Sequence, residues 1–222
     1  FMGGGRIDQA LGGGISFSEN MPFIQIFSKL FSGANSQYQQ VDGLPYIFCG
    51  ILVVALVILY FMNQEIPAKH RKAAGFVLGF YLLTFYISAF SKLMHGGTHT
   101  NWFNYRYSFV FSFFLIALAA EEFIYIERLT TKDAKQCIIA LLVSIVLVFS
   151  TSYEFISGGA VVLDLDLLVL MWLIFCIHKK KPEKVTKKVF AGLLILVVSV
   201  NMFANFTLSV ISLRDWEKDL TL

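Results

Sequence analysis

Val189-Phe-Ala-Gly-Leu-Leu-Ile-Leu-Val-Val-Ser-Val-Asn-Met-Phe-Ala-Asn-Phe-Thr-Leu-Ser-Val-Ile-Ser-Leu213 carries no charged residue. A helix needs about 20 mostly apolar residues to cross about 30 Å of hydrocarbon. The stretch therefore predicts a spanning helix over 189–213, and its continuous apolar run lacks the alternation of a barrel strand. Working outward, five further apolar runs predict spans over 46–62, 73–91, 107–126, 137–151 and 160–177. The run at 137–151 is the weakest, being short before Ser150-Thr-Ser-Tyr153.

Composition agrees. The chain is 57% hydrophobic and 16% aromatic, with 23 phenylalanines and a mean hydropathy of +0.69. Only 15% is charged, against roughly 25% in an ordinary soluble domain. So few charges cannot cover that much apolar surface in water. The expected fold class is an all-α membrane protein of about six transmembrane helices plus a short interfacial helix.

The basic residues fall in alternating loops. Lys69, Arg71 and Lys72 lie in one, and Arg128, Lys132 and Lys135 in a second. Lys179, Lys180, Lys181, Lys184, Lys187 and Lys188 crowd a third. Six spans put these three loops on one side, and the positive-inside rule makes that side cytoplasmic. The net charge of +3 is then topological and no sign of nucleic-acid binding. The loop from His95 to Arg106, the loop 152–159, the segment 1–45 and the continuation 214–222 are expected outside the cytoplasm.

Within 1–45, residues 22–32 predict an amphipathic helix with Phe23, Ile24, Phe27, Leu30 and Phe31 on its apolar face and Gly33 placed to end it. The membrane–water interface is its expected home. No basic n-region precedes an apolar core, so no signal peptide is expected. The chain opens on Phe1 rather than methionine and ends shortly after a span, which predicts a fragment of a larger protein. Cys49, Cys137 and Cys176 match no zinc or redox spacing and read as small apolar residues.

Candidate site residues follow from polarity where polarity is costly. Arg106 opens the 107–126 span, as an interfacial anchor among Trp102, Tyr105 and Tyr107 or as an anion site for a lipid-linked phosphate. His95 and His99 are four apart, but Gly96, Gly97 and Thr98 between them argue against a shared helical face for zinc. His95 either touches substrate or satisfies a loop carbonyl. Asp164 and Asp166 point to opposite sides of their helix and form no dyad. Asp164, with Asn201 and Asn205 sharing one helix face and Asp42 before the first span, marks a candidate polar cavity; interhelical hydrogen bonding and a turn are the structural alternatives. No serine-nucleophile, P-loop or HExxH motif is present.

Two stretches carry a resemblance. Phe31-Ser-Gly-Ala-Asn-Ser-Gln37 through Gly43-Leu-Pro-Tyr-Ile-Phe-Cys-Gly50 leads into a span, followed by the basic residues from Lys69 to Lys72. Then Met94-His-Gly96 precedes Asn101-Trp-Phe-Asn-Tyr-Arg106-Tyr-Ser-Phe109. Together they resemble the YfhO family of bacterial multi-pass membrane proteins, which is similar to the GT-C class of glycosyltransferases. The resemblance is strongest over 22–127. It implies transfer of a sugar from a polyprenyl-phosphate carrier to a cell-envelope polymer, such as a teichoic acid, at the outer face of the bacterial membrane.

By that resemblance His95, Trp102, Tyr105 and Arg106 belong to the donor site or its frame. The carboxylate such enzymes use as base or metal ligand would lie upstream of Phe1, so no catalytic residue is assigned. No ligand set for a cofactor is visible, although a divalent cation is compatible with the class. Gly97 and Thr100 depart from the bulky residue and the proline that the family's loop carries. A transporter or lipid flippase, or a non-catalytic envelope-assembly protein, are the rival readings; a transporter predicts broken spans and paired halves.

Overall fold

The computed structural model describes residues 17–34, 44–97, 104–149 and 158–220. Eight helices account for most of them: α1 (Phe23–Ser28), α2 (Ile51–Met62), α3 (Ala68–Tyr86), α4 (Ser88–Met94), α5 (Ser108–Phe123), α6 (Thr131–Phe149), α7 (Gly158–Lys180) and α8 (Lys187–Leu220). Among the described residues there is no strand, only a single antiparallel bridge between Glu19 and Ile87.

α7 and Lys187–Ser212 of α8 are long and apolar enough to cross a membrane, with mean hydropathies of 2.5 and 2.1. α2 is as apolar but short, and its 12 residues rise only roughly 18 Å. It nevertheless forms the hub, packing against α5, α6, α7 and α8. Tyr60, Ile51 and Leu59 are buried along it. Phe76, Phe109, Phe113, Ile195 and Phe203 instead face outward, each 66% exposed or more, an apolar surface that suits hydrocarbon.

Three elements depart from the expected boundaries. The first apolar run, expected as helix from residue 46, becomes helical only at Ile51. Pro45 holds its predecessor out of the helical region, and Gly50 adopts φ 95°, open to glycine at little cost. A Cβ on Gly50 would lie 2.8 Å from Met202 Cε, so the chain enters α2 pressed against α8. The amphipathic helix expected over 22–32 runs only Phe23–Ser28, and its chain then turns through Gly33 at φ 69°. The expected 73–91 span is interrupted at Ile87, which has strand-like dihedrals between α3 and α4.

A cluster of hydrogen bonds ties these irregular pieces to the long helices. Asp164, fully buried on α7, accepts at Oδ2 from the Ser32 N–H (2.7 Å) and at Oδ1 from the Ser32 hydroxyl (2.7 Å) and the Asn201 amide (2.7 Å). Asn201 Nδ2 also donates to Ser32 Oγ (3.0 Å). Its Oδ1 accepts from the Ile51 N–H (3.0 Å), capping α2 from a neighbouring helix. One turn along α8, Asn205 Oδ1 accepts from the Gly33 N–H (3.0 Å).

At the opposite end, Asn63 donates to Glu122 (3.0 Å), Arg128 pairs with Glu65, and Glu127 receives His178 (3.3 Å) and Lys187 (3.7 Å). Lys179 donates to the Glu127 carbonyl. The loops after α2, α5 and α7 thus meet at one end of the bundle.

Asn201→Leu keeps the size but removes both the cap on Ile51 and a donor to Asp164. The expected loss is about 2–5 kcal/mol, the range for orphaning buried polar and charged groups. Thermal unfolding in detergent, against Val200→Leu on the exposed side of α8, measures it; equal melting of the two variants would remove the cluster's structural role.

Candidate functional site

The break at Ile87 frees backbone groups that a continuous helix would satisfy, and where they are buried each needs a partner. The segment Ser18-Glu19-Asn20 supplies most of them. The Asn20 N–H donates to the Tyr86 carbonyl (2.8 Å), the Asn20 side chain to the Phe85 carbonyl (3.0 Å), and the Ser88 N–H to the Ser18 carbonyl (3.0 Å). Tyr107 Oη donates to the Thr84 carbonyl (2.9 Å) from the start of α5. Outside the turn, the Tyr86 hydroxyl donates to Glu19 (2.5 Å). Protein groups thus take the Thr84, Phe85 and Tyr86 carbonyls and the Ser88 N–H at the break.

This arrangement positions the loop between α4 and α5. Phe85 stacks on Tyr107 at 5.5 Å and meets Tyr105 and Phe111 edge-on at 5.8 and 5.5 Å. His95 sits against Tyr107 at 5.4 Å, and its Nδ1 lies 2.8 Å from the Ser91 carbonyl. Gly96 and Gly97 turn the chain away from α4 with φ 67° and 85°, where a bulky residue would be strained. Tyr105 is buried and hydrogen-bonded to the Asn20 side chain; burial, then the neighbouring Tyr107, holds its phenol above the ordinary value. Arg106, between two buried tyrosines, points its side chain to the exposed surface.

The candidate residues thus divide. His95, Tyr105 and Arg106 gather at the start of α5; Trp102 lies outside the described residues. Asp164, Asn201 and Asn205 do come together, hydrogen-bonded around Ser32, Gly33 and Ile51, and Asn201 also lines a small pocket with Gly50 and Met171. Asp42 lies outside the described residues. Asp166 is exposed on the opposite side of α7 from Asp164, as the two-residue spacing requires. Among the described residues no three His, Cys, Asp or Glu side chains are grouped to hold a metal ion.

Sequence reasoning passed over Asn20, Glu19 and Thr84, because the broken helix contains neither proline nor glycine at Ile87. It also passed over Lys29. That side chain is fully buried, donates to the Ala34 carbonyl and lies 5.3 Å from the centre of the Tyr46 ring. Burial lowers its ammonium to about 7.

A helical bundle with two membrane-length helices and a wide apolar surface defines a membrane protein. The family described as "Bacterial membrane protein YfhO" matches residues 9–219. The chain belongs to that family. No curated protein and no solved structure matches it.

The depressed value at Lys29 sets a pH dependence. Unfolded, the amine holds its proton up to about 10.5; folded, it releases it near 7. Between those values the unfolded state binds more protons, so this group makes stability rise with pH. Below pH 7 the full burial penalty of the ammonium is present. Lys29→Met is therefore expected to gain most over the natural chain at pH 6 and progressively less toward pH 10. Melting temperatures across that range check it; a pH-independent difference would mean that Lys29 does not titrate there.

Proposed function

We propose that this protein takes part in transferring a sugar from a polyprenyl-phosphate carrier to a cell-envelope polymer, such as a teichoic acid, at the outer face of the membrane. The observation that carries this reading is the pairing at the start of α5 of an exposed guanidinium, Arg106, with a fixed aromatic frame of Phe85, Tyr105 and Tyr107. Guanidinium matches phosphate bidentately, and the frame leaves its own backbone little freedom. An arginine so placed stabilises the charge that develops on the phosphate leaving group, a preorganised electrostatic role.

In this reading the short helices complete the crossing together with their flanking segments, giving about six spans. The lysine-bearing loops face the cytoplasm by the positive-inside rule, so the end carrying His95, Tyr105 and Arg106 faces outward, where lipid-linked donor and polymer acceptor meet. Trp102 and His95 complete the donor contacts. The general base that the acceptor hydroxyl needs, and any divalent cation the reaction uses, are assigned to carboxylates outside the described residues.

One observation favours a different class. A discontinuous helix is what a transporter or flippase would use at its substrate path, and α3–α4 is one. Its freed backbone groups are occupied by Asn20, Ser18 and Tyr107, which leaves them no role in coordinating cargo. The transferase reading is therefore preferred.

The test reconstitutes the full-length protein with polyprenyl-phosphate sugars and envelope acceptor. Arg106→Ala is expected to lower transfer by about 100-fold or more, the scale of losing one transition-state donor, and Arg106→Lys to recover little of it. Unchanged transfer in both variants would reduce Arg106 to a membrane anchor. Movement of labelled carrier lipid across the bilayer without sugar transfer would establish the flippase reading instead.

A further inference from the structure

At the end of the bundle away from Arg106, a cleft of about 550 Å³, including its open mouth, runs between α2, α6, α7 and α8. Leu56, Leu59, Cys137, Met171, Phe175 and Leu194 give it an apolar wall. Trp172 also lines it, and its indole N–H is shielded from solvent with no acceptor among the described residues. Tryptophan N–H groups that leave water normally find a partner.

The mouth has a definite charge. Lys179 crosses the Phe175 ring at 5.5 Å, and His178 stacks on Phe190, another lining residue, at 4.5 Å. Lys179 and Lys187 are engaged by Glu127. Lys180, Lys181, Lys184 and Lys188 stand exposed around the same loop. In this loop Glu183 is the one acidic residue among six lysines.

We propose that this cleft is a binding site for an anionic glycerophospholipid. One acyl chain lies along the apolar wall, and the phosphate rests on the lysines after α7. The occupant follows from two features together: an apolar slot and positive charge at its mouth. A neutral lipid would satisfy the first and leave the lysine cluster unused. Basic pockets between helices take acidic head groups for this reason. The site lies at the other end of the bundle from the proposed donor site and does not depend on sugar transfer.

The test uses tryptophan fluorescence of the full chain in vesicles, with Trp102→Phe and Trp216→Phe leaving Trp172 as the reporter. Brominated phosphatidylglycerol is expected to reach half-maximal quenching at a mole fraction about fivefold or more below that of brominated phosphatidylcholine, the scale of one lysine near an acidic surface. Replacing Lys180, Lys181, Lys184 and Lys188 by glutamine, all exposed and outside the Glu127 contacts, should bring the two curves together. Ala55→Leu, which fills part of the slot, should reduce the depth of quenching by both lipids. Coincident curves for the natural lysines, a preference that survives their removal, or quenching indifferent to Ala55→Leu would each overturn the proposal.

Discussion

A carboxylate inside a bundle of apolar helices is tolerated only where its lone pairs are taken, and Asp164 has three donors within 2.7 Å. Two of the donors come from Ser32, in a part of the chain with no regular structure of its own, and the third from Asn201 on α8. Ser32 offers both backbone and side chain, and Asn201 joins Ser32 and Asp164 to the first turn of α2. Removing any one leaves a buried polar group short of a partner, so the cluster is far more sensitive to loss of a member than its net contribution suggests. Asn201 has the further task of capping α2, whose N-terminal N–H groups begin inside the bundle where no water reaches them.

The two ends of the bundle are held by different physics. Around Asp164 the bonds are buried and short, and salt has little access to them. Around Glu127 the partners are exposed ion pairs, each worth little alone and weakened by screening. Asn63 and Glu122 bridge the two regimes, because Glu122 is fully buried although it lies beside the charged loops. The end with the stronger restraint is also the end that carries the aromatic frame of Phe85, Tyr105 and Tyr107.

Several parts of this arrangement were legible in the sequence. The long apolar runs of α7 and α8 fix those helices because length and the absence of charge leave little alternative. Asn201 and Asn205 could be placed on one face from their four-residue spacing, and Asp164 and Asp166 on opposite faces from theirs. Their partners could not be found that way. Ser32 is separated from Asp164 by 132 residues and from Asn201 by 169, and nothing local marks it among the chain's other serines. The break at Ile87 was equally hidden. A β-branched residue in an apolar run reads as helix unless something outside competes for its backbone, and the competitor, Ser18 to Asn20, looks like ordinary loop. Lys29 was hidden because an interfacial lysine is expected to reach for water, whereas here the chain folds over it.

These hidden features share one segment. Residues 17–34 are fastened at one end to the broken helix through Ser18 and Asn20 and at the other to α7 and α8 through Ser32 and Gly33. Between them α1 packs on α6, and Phe23 meets Tyr86 edge-on at 5.5 Å. The segment therefore works as a strap across one end of the bundle. Asn20 contacts the Phe85 carbonyl and the Tyr105 hydroxyl, so the register of the strap is transmitted to the residues flanking Arg106. Displacing Ser32 from Asp164 would slacken the strap some distance from Arg106. The exposed guanidinium would then lose its fixed frame without any change in its own contacts. The exposed Arg106 is thus linked to a fully buried carboxylate, Asp164, through a stretch of chain with almost no regular secondary structure.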